Sequence, residues 1–430
     1  MPEILDIASL PSLSDVGFTA GRDGLREFCR RIFDAPVPRF LKNENNQLVV
    51  FRNADLRAFG AAPEIGNVPI GTLFPSRYME TDDPQEKLPG WEIGEVIGKQ
   101  VFTFNPPLHG PARRILTSWL SPKGVNLMEG VARKIVNQII RETADGEEID
   151  FVKEVAERLI LGFWSELLHL TESESQSLGQ HARNMTRLFY VDRTDDDLRA
   201  LDVAFSGYAQ ILAGAAERGL AEGDPIMLEI AEKLKDLDFQ DDPFETGVVP
   251  KSVGDFLAGN LIDGVHTAAL AAANTVFALA STPNAMELVR QTPELVPRAI
   301  AEALRLNPPV LFLPRFSLRD FHYDDLIIPA GNMISMMWGA GNYDPATFAD
   351  PEVFNPNRPP AGLTTFGGGI HICPGRYVGV MLVRVMIEEF EANGVICEPG
   401  NNPAVWYPSH KLSQLKVFPV RLRKDAPQTV

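Results

Sequence analysis

The 430-residue chain has few cysteines, and the three it has, Cys29, Cys373 and Cys397, lie far apart. Three scattered cysteines do not make the disulfide framework of a small secreted protein. They also lack the close spacing of a zinc-binding Cys-x-x-Cys pair. The pattern excludes both classes and indicates a reducing compartment.

Basic residues are outnumbered. The chain has 40 Lys and Arg against 57 Asp and Glu, which gives a net charge of −17. A protein of this charge is repelled by nucleic-acid phosphates and by anionic lipid. We therefore expect no nucleic-acid partner and no binding to a membrane surface.

We also expect no targeting segment and no membrane-spanning segment in this sequence. The first 18 residues, MPEILDIASLPSLSDVGF, have neither a basic start nor a continuous apolar run. The most apolar stretch, 256–280, is interrupted by Asn260, Asp263, His266 and Asn274, which lipid would penalise. We expect a cytoplasmic protein in which this stretch is a buried helix.

No Ser/Gly-rich linker, internal repeat or block of like charge divides the chain. A single domain over residues 1–430 is therefore expected, and a hydrophobic content of 45% is enough for a large core.

Hydrophobic periodicity predicts a mainly α fold with small β-sheets, an α+β protein. A long irregular segment is expected at 63–103 because it is rich in proline and glycine. Helices are predicted over 22–33, 107–123, several segments of 125–237, 256–280, 283–291, 293–306 and 376–392. Strands are predicted over 47–51, 310–316, 325–329, 333–339 and 415–422.

The most informative run is 366–375, Phe-Gly-Gly-Gly-Ile-His-Ile-Cys-Pro-Gly, which we call the cysteine loop. Gly367, Gly368 and Gly369 can take positive φ, and Gly375 leaves room where a side chain would crowd the cysteine. A helix follows at once, so its N-terminal dipole favours a thiolate on Cys373. The run is typical of a loop that holds a thiolate against a metal.

The cysteine loop resembles the Phe-Gly-x-Gly-x-His-x-Cys-x-Gly signature of the cytochrome P450 family at every fixed position. Glu302 and Arg305 match the family's Glu-x-x-Arg motif, and 354–358 resembles the segment that adds Arg358 to that buried charge network. The resemblance covers nearly the whole chain. It implies a β-rich part at roughly 40–60, 310–340 and 400–425, and a helical part at roughly 105–306 and 376–392. It also implies haem b between the long helix predicted over 256–280, which is the family's central helix, and the cysteine loop.

The resemblance assigns haem contacts residue by residue. Cys373 is the axial ligand of the iron. Four donors suit the two propionates, which would otherwise be uncompensated charges: His109, Arg113, Arg315 and His371. The remaining cofactor-binding residues belong to the cysteine loop: Phe366, Gly367 and Gly375. Each of the four donors, taken alone, could instead be a surface residue.

The central helix departs from the family pattern of Ala/Gly-Gly-x-Asp/Glu-Thr over the iron. The matching residues are Asp263, Gly264, Val265, His266 and Thr267, so a histidine stands where the acid is typical and an acid stands at the small position. Thr267 is expected to hold water in line for proton delivery. His266 is predicted to relay protons with Asp263 orienting it, or else to be a packed core histidine. Asp263 could also anchor a substrate amine or hydroxyl.

The resemblance implies a monomeric enzyme that uses O2 and inserts one oxygen atom into a small hydrophobic substrate. The sequence has no flavin or dinucleotide motif, so electrons from NAD(P)H are expected through a ferredoxin and its reductase. Docking is predicted on the cysteine side, where three cations are candidates: Arg114, Lys123 and Arg376. Alternatives are a peroxygenase that uses hydrogen peroxide, or a haem-based sensor or electron carrier. Candidate substrate walls are Phe74, Trp91, Ile93, Ile97, Phe102, 310–313, Trp406 and Pro408.

Overall fold

The structure is a computed structural model and describes residues 3–34, 38–77, 79, 86–189, 193–237, 247–409 and 411–424. The chain packs as two compact units. The first comprises Met1–Ile65, Met128–Ile160 and Thr267–Val430, and the second comprises Gly66–Leu127 and Leu161–His266. The mainly α architecture with small sheets is confirmed, whereas the single domain stays a prediction.

The first unit contains the helices that flank the cysteine loop. Its α-helices are Gly21–Asp34, Asn53–Ala61, Ala285–Gln291, Val296–Leu306, Trp338–Gly341 and Arg376–Ala392, with a π-helical turn at Val152–Glu157. Short 3-10 helices lie at Ile7–Ser9, Pro293–Leu295 and Gly369–His371. The helix over Val296–Leu306 ends at Asn307, before a Pro-Pro pair that cannot continue it.

Within the described residues, four small sheets are formed almost entirely by this unit's segments. The largest has the strand order Leu41–Lys42, Leu48–Val50, Met333–Met336, Leu313–Ser317 and Ile65–Gly66. A second has the order Val395–Pro399, Pro419–Lys424 and Asp145–Asp150. The other two combine Glu3–Ile4 with Leu326–Ile328 and Phe321–Tyr323, and Val405–Trp406 with Leu415–Val417. Leu48, Val49 and Val50 are fully buried, as expected for a strand covered on both faces.

The second unit is helical over most of its described residues. Its helices are Ile70–Leu73, Trp91–Ile97, His109–Trp119, Glu172–Met185, Asp195–Glu222 and Pro225–Leu234, with 3-10 turns at Pro75–Arg77, Val101–Thr103 and Thr186–Phe189. Capping boxes at Thr171 and Thr194 start two of the long helices. Gly223, at φ 80°, ends Asp195–Glu222 in the left-handed conformation that glycine tolerates.

Three helices begin in one unit's segments and end in the other's: Pro122–Thr143, Arg158–Leu167 and Val253–Ser281. The last, here called the central helix, is long and apolar enough to cross a membrane by length and composition. However, 61% of its most apolar window is buried inside the structure. That burial is typical of a core helix and supports the prediction made for 256–280.

Two sequence predictions that fall mainly in the second unit need correction, one in its boundaries and one in its content of regular structure. The helix predicted over 107–123 is His109–Trp119, and a new helix starts at Pro122. The turn between them is tight because a Cβ on Gly124 would lie 2.0 Å from the Trp119 carbonyl oxygen. The segment 63–103 is less irregular than expected, since Trp91–Ile97 is a helix, although part of the segment lies outside the described residues.

Three corrections concern the first unit. The helical part predicted over 105–306 contains a strand, Asp145–Asp150. The strand predicted over 333–339 ends at Met336, and Trp338–Gly341 is helical. The strand predicted over 415–422 is two strands, Leu415–Val417 and Pro419–Lys424.

Candidate active site

The cysteine loop is closed by its own backbone. The amide of Cys373 donates to the Phe366 carbonyl at 2.9 Å, and the amide of Gly367 donates to Thr364 at 3.0 Å. Cys373 is half-buried. The helix Arg376–Ala392 starts three residues after Cys373. The positive end of its dipole favours the thiolate form of that cysteine.

The other two cysteines are in a different environment. Cys29 and Cys397 are both buried, and burial raises the pKa of each thiol, to about 12 for Cys397. Both therefore stay protonated at neutral pH and behave as small apolar side chains. Cys373 is the one cysteine of the three whose side chain is accessible enough to serve as a ligand.

The glycines of the cysteine loop differ in backbone conformation and in the space that each leaves for a side chain. Gly367 and Gly369 have φ of 72° and 63°, whereas Gly368 is extended. A Cβ on Gly369 would lie 1.8 Å from the Gly60 carbonyl oxygen, so the loop touches the helix Asn53–Ala61 at this point. A Cβ on Gly375 would lie 4.0 Å from Cys373 Sγ. That is an ordinary contact, so the crowding expected at Gly375 is small.

Gly369→Ala is expected to displace the cysteine loop. The left-handed backbone alone costs an alanine about 1–2 kcal/mol, and the overlap with Gly60 forces a further shift of main chain. Haem content after purification and the thermal midpoint should both fall. The matched control is Gly379→Ala in the following helix, where a Cβ meets nothing within 4 Å. A Gly369→Ala protein with the control's haem content would contradict this geometry.

A buried charge network supports the segment that leads into the loop. Glu302 accepts bonds from Arg305 Nε and Nη2, both at 2.8 Å, from the Asn355 amide at 3.0 Å and from Arg358 Nε at 3.2 Å. Arg305 is fully buried and donates to the carbonyls of Asn342, Pro351 and Val353. The network ties the helix Val296–Leu306 to residues 342–358.

Two of the predicted propionate donors belong to the first unit. Arg315 lies on the strand Leu313–Ser317 and is 3% exposed, and its Nη1 donates to the Pro314 carbonyl at 2.9 Å. Burial lowers the pKa of its guanidinium to about 10. An anionic carboxylate at this position would stabilise the charged form. His371 lies on the 3-10 turn Gly369–His371, two residues before Cys373.

The other two donors belong to the second unit. His109 is the first residue of the helix His109–Trp119, and Arg113 lies one turn later, so both share a face. His109 is 3% exposed and Arg113 is half-buried. The preceding turn is held by Asn105, which exchanges hydrogen bonds with the backbone of Asn67 at 2.7 and 3.0 Å.

The central helix is continuous across the residues that depart from the family pattern. The ring of His266 stacks on Phe189, with centroids 6.2 Å apart and an angle of 9° between planes. Trp164 Nε1 donates to the Gly264 carbonyl at 3.4 Å. A Cβ on Gly264 would lie 3.6 Å from Trp164, so packing alone does not demand glycine there. Burial raises the pKa of Asp263 to about 6.

Several candidate substrate walls are core residues of their own units. Ile93 and Ile97 in the second unit, and Leu311 and Phe312 in the first, are each at most 8% exposed. Trp406 packs edge-on against Phe277, with centroids 5.0 Å apart. Sequence reasoning also missed polar residues near Asp263, namely Gln100 and Tyr208, because they lie on separate segments and belong to no motif.

Comparisons with known proteins relate part of the chain to one family. A profile described as "Cytochrome P450" matches residues 251–390. The beta-dihydromenaquinone-9 omega-hydroxylase of Mycobacterium tuberculosis is 26% identical over 68% of this chain, and the match spans 58% of that enzyme's length. The C-19 steroid 1alpha-hydroxylase of Sorangium cellulosum is 26% identical over 70% of this chain and 75% of its own.

The fold is also that of solved members. The crystal structure of CalO2 superposes with a TM-score of 0.79 at 20% identity, covering 94% of this chain and 97% of CalO2. The likeness extends over both units' segments, beyond the part that the profile matches. Residues 251–390 thus match the cytochrome P450 family in sequence, and nearly the whole chain has the fold of its solved members.

Proposed function

We propose that this protein is a haem-thiolate monooxygenase that inserts one oxygen atom from O2 into a small hydrophobic substrate. The observation that carries the proposal is the cysteine loop. Its backbone closes through the Cys373 amide and the Phe366 carbonyl, and a helix N-terminus follows immediately. That arrangement holds one accessible thiol where a thiolate is electrostatically favoured.

The residues present fit haem b. Cys373 would ligate the iron, and the chemistry of the donor set suits two propionates: His109, Arg113, Arg315 and His371. The buried guanidinium of Arg315, whose pKa is lowered by desolvation, supports a carboxylate partner. When bound, the haem supplies reductive activation of O2, which the electron-rich thiolate favours.

The first test is optical. A reduced, carbon-monoxide-bound protein should have a strongly red-shifted Soret band, the sign of thiolate ligation. A hydrophobic ligand library should then contain compounds that change the spin state of the oxidised protein, which a sensor or electron carrier does not require. An unshifted Soret band would contradict the proposal. Turnover with hydrogen peroxide but none with NAD(P)H and redox partners would select the peroxygenase alternative.

Thr267 is proposed to hold water in line for proton delivery. Its side chain is half-buried on the central helix, four residues after Asp263 and so on the same face. In Thr267→Ala we expect product per reducing equivalent to fall at least about tenfold, since positioned proton transfer contributes on the order of 10²–10⁴. Hydrogen peroxide should rise correspondingly while haem content stays unchanged. Equal coupling in both proteins would refute the role.

His266→Phe is the matched comparison in the same assay. If His266 relays protons, this variant should also divert electrons to hydrogen peroxide. The stacking of His266 on Phe189 supports the other reading, in which the ring is a packing contact that phenylalanine can replace. Coupling retained in His266→Phe but lost in Thr267→Ala would assign proton delivery to Thr267 and water.

The electron donor is proposed to be a ferredoxin served by an NAD(P)H-dependent reductase in the cytoplasm. Arg114 and Lys123 are exposed, whereas Arg376 is tied to its own segment through the Cys373 carbonyl and Tyr377. An open cavity of about 560 Å³ lies beside the cysteine loop against the helix Asn53–Ala61, with Arg57 on its wall. The exposed cations Arg57, Arg114 and Lys123 are the candidates for contact with an acidic partner.

The substrate is proposed to be largely apolar. The names of the relatives, a menaquinone hydroxylase and a steroid hydroxylase, describe enzymes whose substrates are hydrophobic. Among the candidate walls, Trp91 and Phe102 in the second unit and Trp406 in the first remain partly exposed and available for contact. Aromatic and aliphatic walls of this kind suit a hydrophobic small molecule.

A further inference from the structure

Asp263 is an acidic residue at the middle of an apolar helix. Its side chain is exposed, yet burial raises the pKa of its carboxyl to about 6. The two observations agree if the carboxylate faces a space enclosed by protein, where it is accessible but far from bulk water. The carboxylate is therefore available for contact while its charge is poorly solvated.

The segment Lys99 to Val101 is clamped against the central helix next to Asp263. The Val101 amide donates to Asn260 Oδ1 at 2.9 Å, and Asn260 Nδ2 donates to the Lys99 carbonyl at 3.3 Å. The approach is so close that a Cβ on Gly259 would lie 2.7 Å from the Lys99 carbonyl carbon. The position of this segment is therefore set by the helix turn that precedes Asp263.

This clamp directs Gln100 to Asp263. Gln100 is 5% exposed, and its Nε2 donates to Asp263 Oδ2 at 3.4 Å. The amide group turns its donor to the carboxylate, so the acceptor Oε1 is its remaining polar atom.

Tyr208 approaches from another helix, Asp195–Glu222. That helix packs tightly on the central helix, because a Cβ on Gly254 would lie 2.5 Å from Ala213 Cα. Tyr208 is 1% exposed, and within the part of the chain that the structure describes its hydroxyl has no hydrogen-bond partner. Burial raises the pKa of Tyr208, and the charge of Asp263 raises it further, so the phenol lies within the field of the carboxylate.

We propose that Asp263, Gln100 and Tyr208 form a subsite for a protonated amine on the substrate. An ammonium group has donors only and a positive charge, and the three side chains offer it acceptor oxygens and a negative charge. A donor on the ligand would satisfy the buried hydroxyl of Tyr208. The proposal rests on the proposed function and narrows its substrate class to apolar amines.

The test compares two probes that differ in one atom. The first is N,N-dimethyl-phenylbutylamine, which is protonated at neutral pH and too hindered to ligate iron well. The second is the hydrocarbon in which a carbon replaces the nitrogen. Dissociation constants are measured on the haem-loaded protein by calorimetry and by the spin-state change, at about pH 7.5, above the raised pKa of Asp263.

We expect the wild type to bind the amine more tightly than the hydrocarbon. Asp263→Asn should weaken amine binding at least about tenfold, as expected for loss of a hydrogen bond to a charged group. The dissociation constant of the hydrocarbon should change by no more than about twofold in the same variant. Tyr208→Phe should lower the affinity for the amine by a smaller factor, because the single N–H of this probe is donated to Asp263 and the phenol acts on the charge only through its dipole. Unchanged amine affinity in Asp263→Asn would overturn the subsite, and unchanged affinity in Tyr208→Phe would remove Tyr208 from it.

The matched control is Asp196→Asn, which removes one exposed carboxylate from the first turn of the helix that carries Tyr208. Its amine affinity should equal that of the wild type, and an equal loss in this control would reduce the effect to net charge and overturn the proposal. The red-shifted Soret band is recorded for every variant. Failure of that band contradicts the proposed function, whereas an intact band without amine selectivity contradicts the subsite alone.

Discussion

Cys373→Ser is expected to abolish the red-shifted Soret band of the carbon-monoxide complex and to lower monooxygenase activity at least about 10³-fold. At this position, next to a helix N-terminus, the thiol of cysteine favours its anionic form. The hydroxyl of serine stays protonated at the same position. Without the anionic sulfur, the electron density that favours cleavage of the oxygen–oxygen bond is missing. The measurement is the optical spectrum together with product formation per haem.

Three further variants make the result interpretable. Cys29→Ala and Cys397→Ala change cysteines whose pKa is raised by burial, so both should keep the red-shifted band. Cys373→His keeps a ligand at the same position and should retain haem with an unshifted band. It therefore separates loss of the thiolate from loss of haem. A red-shifted band in Cys373→Ser would show that Cys373 is not the ligand, and so would its loss in a Cys397→Ala protein that retains haem.

The features predicted correctly from the sequence are those with local causes. The helix Arg376–Ala392 has the predicted bounds because the cysteine loop must end before it and Asn393-Gly394 follow it. The central helix extends only a few residues beyond the predicted stretch. The prediction succeeds because the long apolar run that forms the helix is continuous in the sequence. The closure of the cysteine loop likewise depends on residues within ten positions of one another.

The strand Asp145–Asp150 could not be predicted from local patterns. Its sequence, DGEEID, has low strand propensity and no apolar alternation. It forms a strand because Pro419–Lys424, far away in sequence, pairs with it, as in Ile149 opposite Val420. An ion pair between Arg421 and Glu148 at 3.0 Å joins the same two strands. The acidic residues that argue against a strand are stabilised by a partner that only the fold supplies.

The candidate subsite was likewise beyond a sequence argument. Asp263 could be singled out because it departs from a known pattern, but Gln100 and Tyr208 lie on a 3-10-flanked turn and on a different helix. Their approach depends on the small residues Gly259 and Gly254, which allow the backbone of two segments close to the central helix. Glycines inside an apolar helix indicate close packing, although they do not say which segment packs there.

Glu302→Gln is expected to destabilise the protein by about 3–5 kcal/mol, since it leaves the buried guanidinium of Arg305 without its counter-charge. It also weakens the bonds from Asn355 and Arg358, which hold the segment leading to the cysteine loop. Haem retention should therefore fall together with stability. The measurements are the midpoint of denaturant unfolding and the haem content of the purified protein.

The chain supplies a control of the same spacing. Glu287 and Arg290 form an i,i+3 pair at 2.8 Å like Glu302 and Arg305, but their side chains are 46% and 47% exposed. Because water screens that pair, Glu287→Gln should cost no more than about 0.5 kcal/mol. The double variant Glu302→Gln with Arg305→Met should cost less than the sum of its single changes, because no buried charge is then left uncompensated. Equal losses of stability in Glu302→Gln and Glu287→Gln would mean that burial adds nothing to the Glu302–Arg305 pair. Additive losses of stability in the double variant would mean that Glu302 and Arg305 act independently.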